Sequence, residues 1–455
     1  MFMIQHLFQK CQPKVTEYFI SELRSFDEAE KFLSSCVDLL FCEVLGAYME
    51  SVDNAVRDDH AGRMEAGLMV EKGQVPRQIQ TQHGVVSYQR AYYWDRNAGR
   101  YLYAVDELVG IRPRQRLSTG FENEAANKAL TMSYEKASKM FAPASSLSRQ
   151  TVMNKLRQSV PDRKEAPPIR NVPVLHVDAD EDHVKVRGKN GSIVPLISIY
   201  EGIEDGVCRN IFHVSEYGKK PEDLWEQALS AMEGCYLLDG TAIYLHGDGG
   251  AWIRQGMEWL AHAEFVLDKY HKNKYLGKVC RCMEDKKMRR SVRKKRKAFL
   301  GKGDVDGFSG EAEQLCSTFP EHGEGIRKAA SYLTNHIEGI HICEADEEAN
   351  RGGCTEGHVS HVLSARLSAR PMAWSETTLK ALAPLLACQG RIHVRHESME
   401  GNGTDKFRPL RQQAEARIKQ KHMNGMAEAD SIGALPLLSI GNASWLRNAL
   451  FGLAG

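Results

Sequence analysis

The run VLHVDADEDHV, Val174 to Val184, constrains the fold most, because its residues suit an extended strand, and under strand geometry one face then carries Asp178, Asp180 and Asp182 together. A second apolar run, YLHGDGGAWI from Tyr244 to Ile253, also delivers an aspartate, Asp248, to a glycine-rich turn. A third acidic residue, Glu356, opens a helical pattern in which Val359, Leu363 and Leu367 follow at steps of 3, 7 and 11. That stripe predicts a helix whose glutamate points towards the surface on which it packs.

Around these runs the order is strand (VLHVD), turn and strand (HVKVRG), strand (VPLISIY), strand (VCRNIFHVS), helix (PEDLWEQALSAME), strand (AIYLHG), helix (AWIRQGMEWLA), strand (AEFVLD) and helix (KYHKNKYL). A hairpin group is thus followed by βαβ units, which makes the class α/β. An antiparallel hairpin beside a parallel pair is the layout of a ribonuclease H-like sheet. In it, a first-strand aspartate and Asp248 lie side by side if their strands are parallel neighbours.

Hard divalent cations prefer carboxylate oxygens, and a two-ion phosphoryl-transfer site places its ions about 3.5 to 4 Å apart over a phosphodiester. Asp248, Glu356 and one of Asp178, Asp180 and Asp182 could build such a site. A calcium loop is excluded for the DxDxD spacing, since His183 stands where that loop needs glycine and Lys189 where it needs glutamate. Asp268 and His271 sit at a strand-to-helix junction and are possible accessories. His183 and His246 are expected to be structural or substrate contacts, and Trp252 and Trp374 to be buried aromatics able to stack on an unpaired base only if exposed.

Net charge is only +1, but Lys269 to Leu300 carries 14 Lys or Arg against 2 acidic residues. Within it, Lys286, Lys287, Arg289, Arg290, Arg293, Lys294, Lys295, Arg296 and Lys297 form a run too dense for a packed core and suited to a DNA backbone. Ser133 to Gln158 has the cadence of a helix-turn-helix, in which Ser148 caps a second helix presenting Arg149, Gln150, Thr151 and Asn154 to DNA.

The 455 residues divide by pattern into an N-terminal module (1–120) with helical spacing from residue 14 to 70, including Phe19 and Leu23, and a β-hairpin between Gly84 and Gly110 around Asn97 to Gly99. The helix-turn-helix segment (121–160), a proline-rich linker (161–173), the first part of the catalytic core (174–278), a basic helical insertion (279–338), the core with the glutamate helix (339–395) and a C-terminal region without an assigned role (396–455) follow. The eleven cysteines form no metal-binding or disulfide pattern. The most apolar stretch, Cys36 to Tyr48, is interrupted by Asp38 and Glu43, and the N-terminus lacks a secretory pattern, so a cytoplasmic protein without a membrane partner is expected.

At ADEDHVKV (Ala179 to Val186), HGDGGAWI (His246 to Ile253), VLDKYHKNKYL (Val266 to Leu276) and TEGHVSHVLSARLSARPMAWS (Thr355 to Ser375) the chain resembles the DDE transposases of bacterial insertion sequences, most closely the Lre family, long carried as uncharacterised proteins. The likeness spans most of the chain. By motif position it implies Asp180, Asp248 and Glu356 as the catalytic, metal-holding triad, with Asp268 and His271 as a DxxH-like motif. It also implies a ribonuclease H-like core with an all-helical insertion, behind a mainly helical N-terminal region.

The activity so implied is cleavage at element ends followed by attack of the freed 3′-hydroxyl on target DNA, with two Mg²⁺ ions or Mn²⁺ in their place. Arg366 and Arg370 are candidate phosphate contacts. Double-stranded DNA is the expected partner, and joining two ends in concert calls for a homodimer or larger assembly. The competing readings are a ribonuclease H-like nuclease without integration and a non-enzymatic DNA-binding regulator derived from a transposase.

Overall fold

The computed structural model describes residues 17–18, 25–141, 145–162, 167–283, 285–396 and 408–427. Phe19 and Leu23, part of the 161–173 linker and the polar stretch from Glu397 to Phe407 lie outside the described residues, as do residues 428–455. The chain forms two compact units, one from Met1–Glu122, Ser138–Ser148 and His396–Gly455, the other from Asn123–Ala137 and Arg149–Arg395.

In the first unit, helix α1 (Phe26–Asp58) starts at Ser25, whose hydroxyl accepts from the Glu28 N–H while the Glu28 carboxylate accepts from the Ser25 N–H. This reciprocal cap satisfies two otherwise orphaned groups. The second half of α1 packs Met49, Val52 and Val56 on an antiparallel sheet of β1 (Leu68–Thr81), β2 (Gly84–Asp95) and β3 (Arg100–Leu102). The β2–β3 hairpin is the one expected around Asn97 to Gly99. The longer β1–β2 hairpin was not legible, because β1 is largely exposed, contains Gly73 and Pro76, and slips register twice between Val70 and Val75.

Helix α1, despite Asp38 and Glu43, is long and apolar enough by length and composition to cross a membrane. It is the one such helix among the described residues. Its inner half is committed to the sheet, where buried Asp53 accepts from the Ala91 N–H at 3.0 Å with both carboxylate oxygens.

The second unit opens with helices α2 (Thr119–Thr131), α3 (Tyr134–Ser138) and α4 (Arg149–Arg157). Helix α3 ends at Ser138 and α4 begins at Arg149, with residues 142–144 between them outside the described residues. Helix α4 does begin immediately after Ser148, is anchored by buried Val152 and Leu156, and keeps Arg149, Gln150 and Asn154 exposed.

The main sheet of this unit has five strands: β4 (Val174–Val184), β5 (Ser192–Tyr200), β6 (Phe212–Val214), β7 (Ala242–Gly247) and β8 (Ala263–Leu267), with helix α5 (Pro221–Glu233) between β6 and β7. Their spatial order is β6-β5-β4-β7-β8. Strand β4 pairs antiparallel with β5, and β5 with β6, whereas β7 is parallel to both β4 and β8. The class is therefore mixed α/β.

Strand alternation splits β4 into two faces. Leu175, Val177 and Ala179 enter the core with Leu224, Trp225 and Met232 of α5. His176, Asp178, Asp180 and Asp182 occupy the other face. Trp225 is fully buried and donates its indole N–H to the Trp252 carbonyl at 2.8 Å, so its one polar atom is satisfied.

After β8 come α6 (Lys269–Val279), α7 (Lys286–Gly301), α8 (Val305–Thr318), α9 (Gly323–Asn335) and α10 (Ile337–Ala345). Phe308, Leu315, Ile326, Leu333 and Ile340 join the same core as the sheet. Helix α11 begins at Thr355–Val359 and continues through a π-helical turn, Ser360–Ser364, to Ala365–Leu367. Helix α12 (Glu376–Ala387) completes the unit, with the α4 residue Arg157 donating to Ser375 and Thr378.

Candidate active site

Strands β4 and β7 are parallel neighbours, the condition under which the two aspartate runs lie side by side. Asp178 is in register with His246, and Gly247 with Leu267, so the register sets Asp180, within β4, beside Asp248 and Asp268, which directly follow the ends of β7 and β8. The Asp268 N–H donates to the Gly247 carbonyl at 3.1 Å, tying the second end to the third. Asp248 begins a tight turn, accepting from the Gly250 N–H at 2.7 Å. Gly249 has φ +83° there, and a Cβ on it would lie 2.0 Å from His336 Nε2, so the turn requires glycine.

The three aspartates of β4, equivalent by spacing, have different work. Asp178 is buried and accepts from the Tyr200 hydroxyl at 3.1 Å and the Cys354 N–H at 2.7 Å, with His358 Nε2 at 3.4 Å. Asp182 accepts from the Ser364 and Ser368 hydroxyls at 3.0 and 2.8 Å. Both therefore bind α11 to the strand. Asp180, between them, accepts from the neighbouring Glu181 N–H at 2.8 Å.

Electrostatics follow this division. Burial, with the charges of Asp268 and Asp248 added, pushes the Asp180 carboxyl up to about 7. Carboxylates forced together in a low-dielectric site repel, and a cation between them relieves both effects. Burial works against protonating His271, but its hydrogen bond to Asp268 and the charges of Asp268 and Asp248 raise its pKa. Asp268 caps α6 by accepting from the His271 N–H at 2.9 Å and holds the His271 ring at 2.8 Å.

Glu356 lies in the first turn of α11, facing a cleft of about 550 Å³ whose other wall is the first turns of α6, including Lys269, Tyr270 and Lys274. The expected stripe of Val359, Leu363 and Leu367 is buried, but Glu356 is exposed to the cleft rather than pressed on the sheet. The difference arises because the preceding Gly353–Cys354 segment is drawn onto β4 and β5, with the Gly353 N–H donating to Tyr200 at 3.1 Å. Among the described residues no three His, Cys, Asp or Glu side chains are gathered tightly enough to hold an ion as they stand. The donor set nonetheless suits a hard divalent cation, being carboxylate oxygens on adjacent strands and the turn after one of them, with Asp180 burdened by its neighbours' charge.

Two expected DNA contacts are corrected by burial. Arg296 is 1% exposed and donates to the Glu311 carbonyl at 3.1 Å, because it falls on the inner face of α7. Arg366 is also buried, donating to the Ala129 carbonyl at 3.0 Å and stacking on Trp374 and Tyr134. Lys286, Lys287, Arg289, Arg290, Arg293, Lys294, Lys295, Lys297 and Arg370 are exposed. Lys295 and Lys297 pair with Glu311 and Glu344.

Tyr332, His176 and Tyr200 carried no sequence signal. Tyr332, on the helical insertion, donates to the Asp248 carbonyl at 2.6 Å. His176 and His246 form a buried pair, Nδ1 to Nε2 at 3.1 Å, packed against Gly352. Burial lowers the His176 pKa to about 4 and that of His246 well below its ordinary value. Tyr200 is in register with His176, and only the strand pairing reveals that its hydroxyl reaches Asp178.

The profile of the uncharacterised protein family UPF0236 matches residues 20–401. UPF0236 protein TTE2489 of Caldanaerobacter subterraneus subsp. tengcongensis is 34% identical over 363 residues, covering 78% of this chain and 76% of its own. Another relative from that organism, whose name joins eleven designations from TTE0033 to TTE2212, is 34% identical over 364 residues, covering 78% of this chain and 75% of its own. With a profile match across most of its length and relatives aligned over three quarters of theirs, the chain belongs to the UPF0236 family.

Proposed function

We propose that this protein is a DDE-type transposase of a bacterial insertion sequence, which cuts DNA at element ends and joins the freed ends to a target. The observation that carries the reading is the placement of Asp180, on the central strand, beside Asp248 at the end of its parallel neighbour. Strand order β6-β5-β4-β7-β8, antiparallel on one side of β4 and parallel on the other, supports a ribonuclease H-like core. Glu356, on a helix held to the same central strand, is the third carboxylate. A relative carrying eleven designations under one name is what an element that copies itself leaves behind.

Asp180 and Asp248 would hold two Mg²⁺ ions, or Mn²⁺ in their place, with Glu356 completing the donor set. Bound there, the ions supply activation of the attacking oxygen and stabilisation of the leaving one. Asp178 and Asp182 position the glutamate helix, and Tyr332 and Gly249 fix the Asp248 turn. Asp268 holds the His271 ring and favours its protonated form. The exposed cations of α7 attract the phosphate backbone, and Arg149, Gln150 and Asn154 offer groups for DNA recognition. Two ends joined in concert require a dimer or larger assembly on DNA.

The test is cleavage and strand transfer on DNA carrying the gene's flanking ends, with Mg²⁺ or Mn²⁺. Wild type should give joined products, and Asp180→Ala, Asp248→Ala and Glu356→Ala should each abolish them. Binding of the ends without metal-dependent cutting by wild type would overturn the proposal.

A further inference from the structure

The cleft beside Glu356 has a composition that metal binding does not explain. On one wall Tyr270 is 47% exposed, although its ring is fixed edge-on against His271 at 5.1 Å and 90°. His271 is itself held by Asp268. Tyr270 is thus a presented ring on a rigid mount. Lys274 places its ammonium 5.2 Å from the same ring, and Lys269 lines the cleft while donating to the Asn350 carbonyl.

The opposite wall is the backbone-rich segment Gly353 to Gly357, with Glu356 the one acidic side chain in the lining. Its glycines leave a flat ligand room to enter. The cleft of about 550 Å³ falls within the range of small-ligand sites, about 300 to 1,000 Å³. An aromatic platform flanked by ammonium groups matches a nucleotide, with the base on the ring and its phosphate beside the cation. A base stacked in a duplex has both faces covered, so only an unpaired base can use this ring.

We infer that the cleft between the first turns of α6 and the Gly353–Gly357 segment is a subsite for an unpaired nucleobase, stacked on Tyr270, with Lys274 against the adjoining phosphate. The inference rests on the proposed function for its setting: Glu356 ties the cleft to the reacting phosphodiester, so the base belongs to a nucleotide flanking the cut. Tyr270 is a positioning residue, and recognition by stacking accepts any base.

The experiment measures binding of the full chain to oligothymidylate and to an abasic strand of equal length and charge, in metal-free buffer. Wild type should bind the base-bearing strand about tenfold more tightly, the scale of one base–aromatic stack. Tyr270→Ala should erase that preference while leaving abasic binding intact, Tyr270→Phe should retain it, and Lys274→Ala should weaken both strands. Equal binding of the two strands by wild type, or an equal loss on both in Tyr270→Ala, overturns the subsite.

Cleavage of flanking-end DNA by the same preparations separates the two ideas. Metal-dependent cutting without base preference removes the subsite alone. A Tyr270-dependent base preference without cutting upholds the subsite and removes the transposase reading.

Discussion

Asp178 and Cys354 are joined by a 2.7 Å hydrogen bond across 176 residues of chain, from the central strand to the segment leading into the glutamate helix. Burial raises the Asp178 pKa well above the ordinary carboxylate range, with Cys354 nearby adding to the effect, while the Cys354 N–H and Tyr200 hydroxyl oppose it. The group is an acceptor first and a charge second. Asp178→Asn should therefore keep stability within about 1 kcal/mol, whereas Asp178→Ala, leaving two buried donors unmet, should lose about 2 to 4 kcal/mol. Urea unfolding checks this, and equal losses in the two variants would remove Asp178 from its positioning role.

Divalent ions should stabilise the folded chain. At about 100 times the dissociation constant, Mg²⁺ should add about 2.7 kcal/mol, raising Tm by roughly 5 to 10 °C. Asp180→Asn and Asp248→Asn should lose most of that shift in a thermal melt with and without Mg²⁺. An unchanged shift in both would place the ion elsewhere.

In the metal-free protein, acid should withdraw the contribution of two buried histidines over a defined window, against an opposite contribution from Asp180 and Asp178, whose raised pKa values make the folded chain the better proton binder there. Burial, with Lys269 contributing, lowers the His176 pKa to about 4, and burial with His358 nearby does the same for His213. Both start from an ordinary value near 6.5. The unfolded chain therefore binds protons first, so stability present above about pH 6.5 is lost as pH falls towards 4, up to about 3 kcal/mol per group. His213→Asn should gain stability relative to wild type as pH falls through that window, and a difference that does not change with pH would refute this assignment.

The basic helix should separate binding from folding. Replacing Arg290, Arg293 and Lys294 with Gln should weaken DNA binding at low salt and reduce the log–log salt slope by about one unit per lost contact. Arg296→Gln should instead lower unfolding stability, since that side chain is interior. If Arg296→Gln changed only the salt slope, its buried placement would be wrong.

Much of the second unit was legible because strand alternation and the parallel βαβ pattern are local signals. They set one aspartate of the first strand beside Asp248 on the condition of parallel pairing, which the register meets. What separates Asp178, Asp180 and Asp182 was not legible, since identical side chains at identical spacing are told apart only by the partners that α11 brings. Arg296 and Arg366 failed for a related reason: a guanidinium reads as surface unless tertiary packing supplies a carbonyl or aromatic ring to receive it. Tyr270 gave no signal at all, being one aromatic in a basic helix until the cleft opposite is seen.

Helix α11 is tethered to β4 at two points, through Asp178 and Asp182, and not merely by the chain that leads into it. The helical excursion between β8 and α11 is consequently freed from the task of aiming Glu356. Its length and surface become free to vary, so relatives can refashion that lobe without moving Glu356.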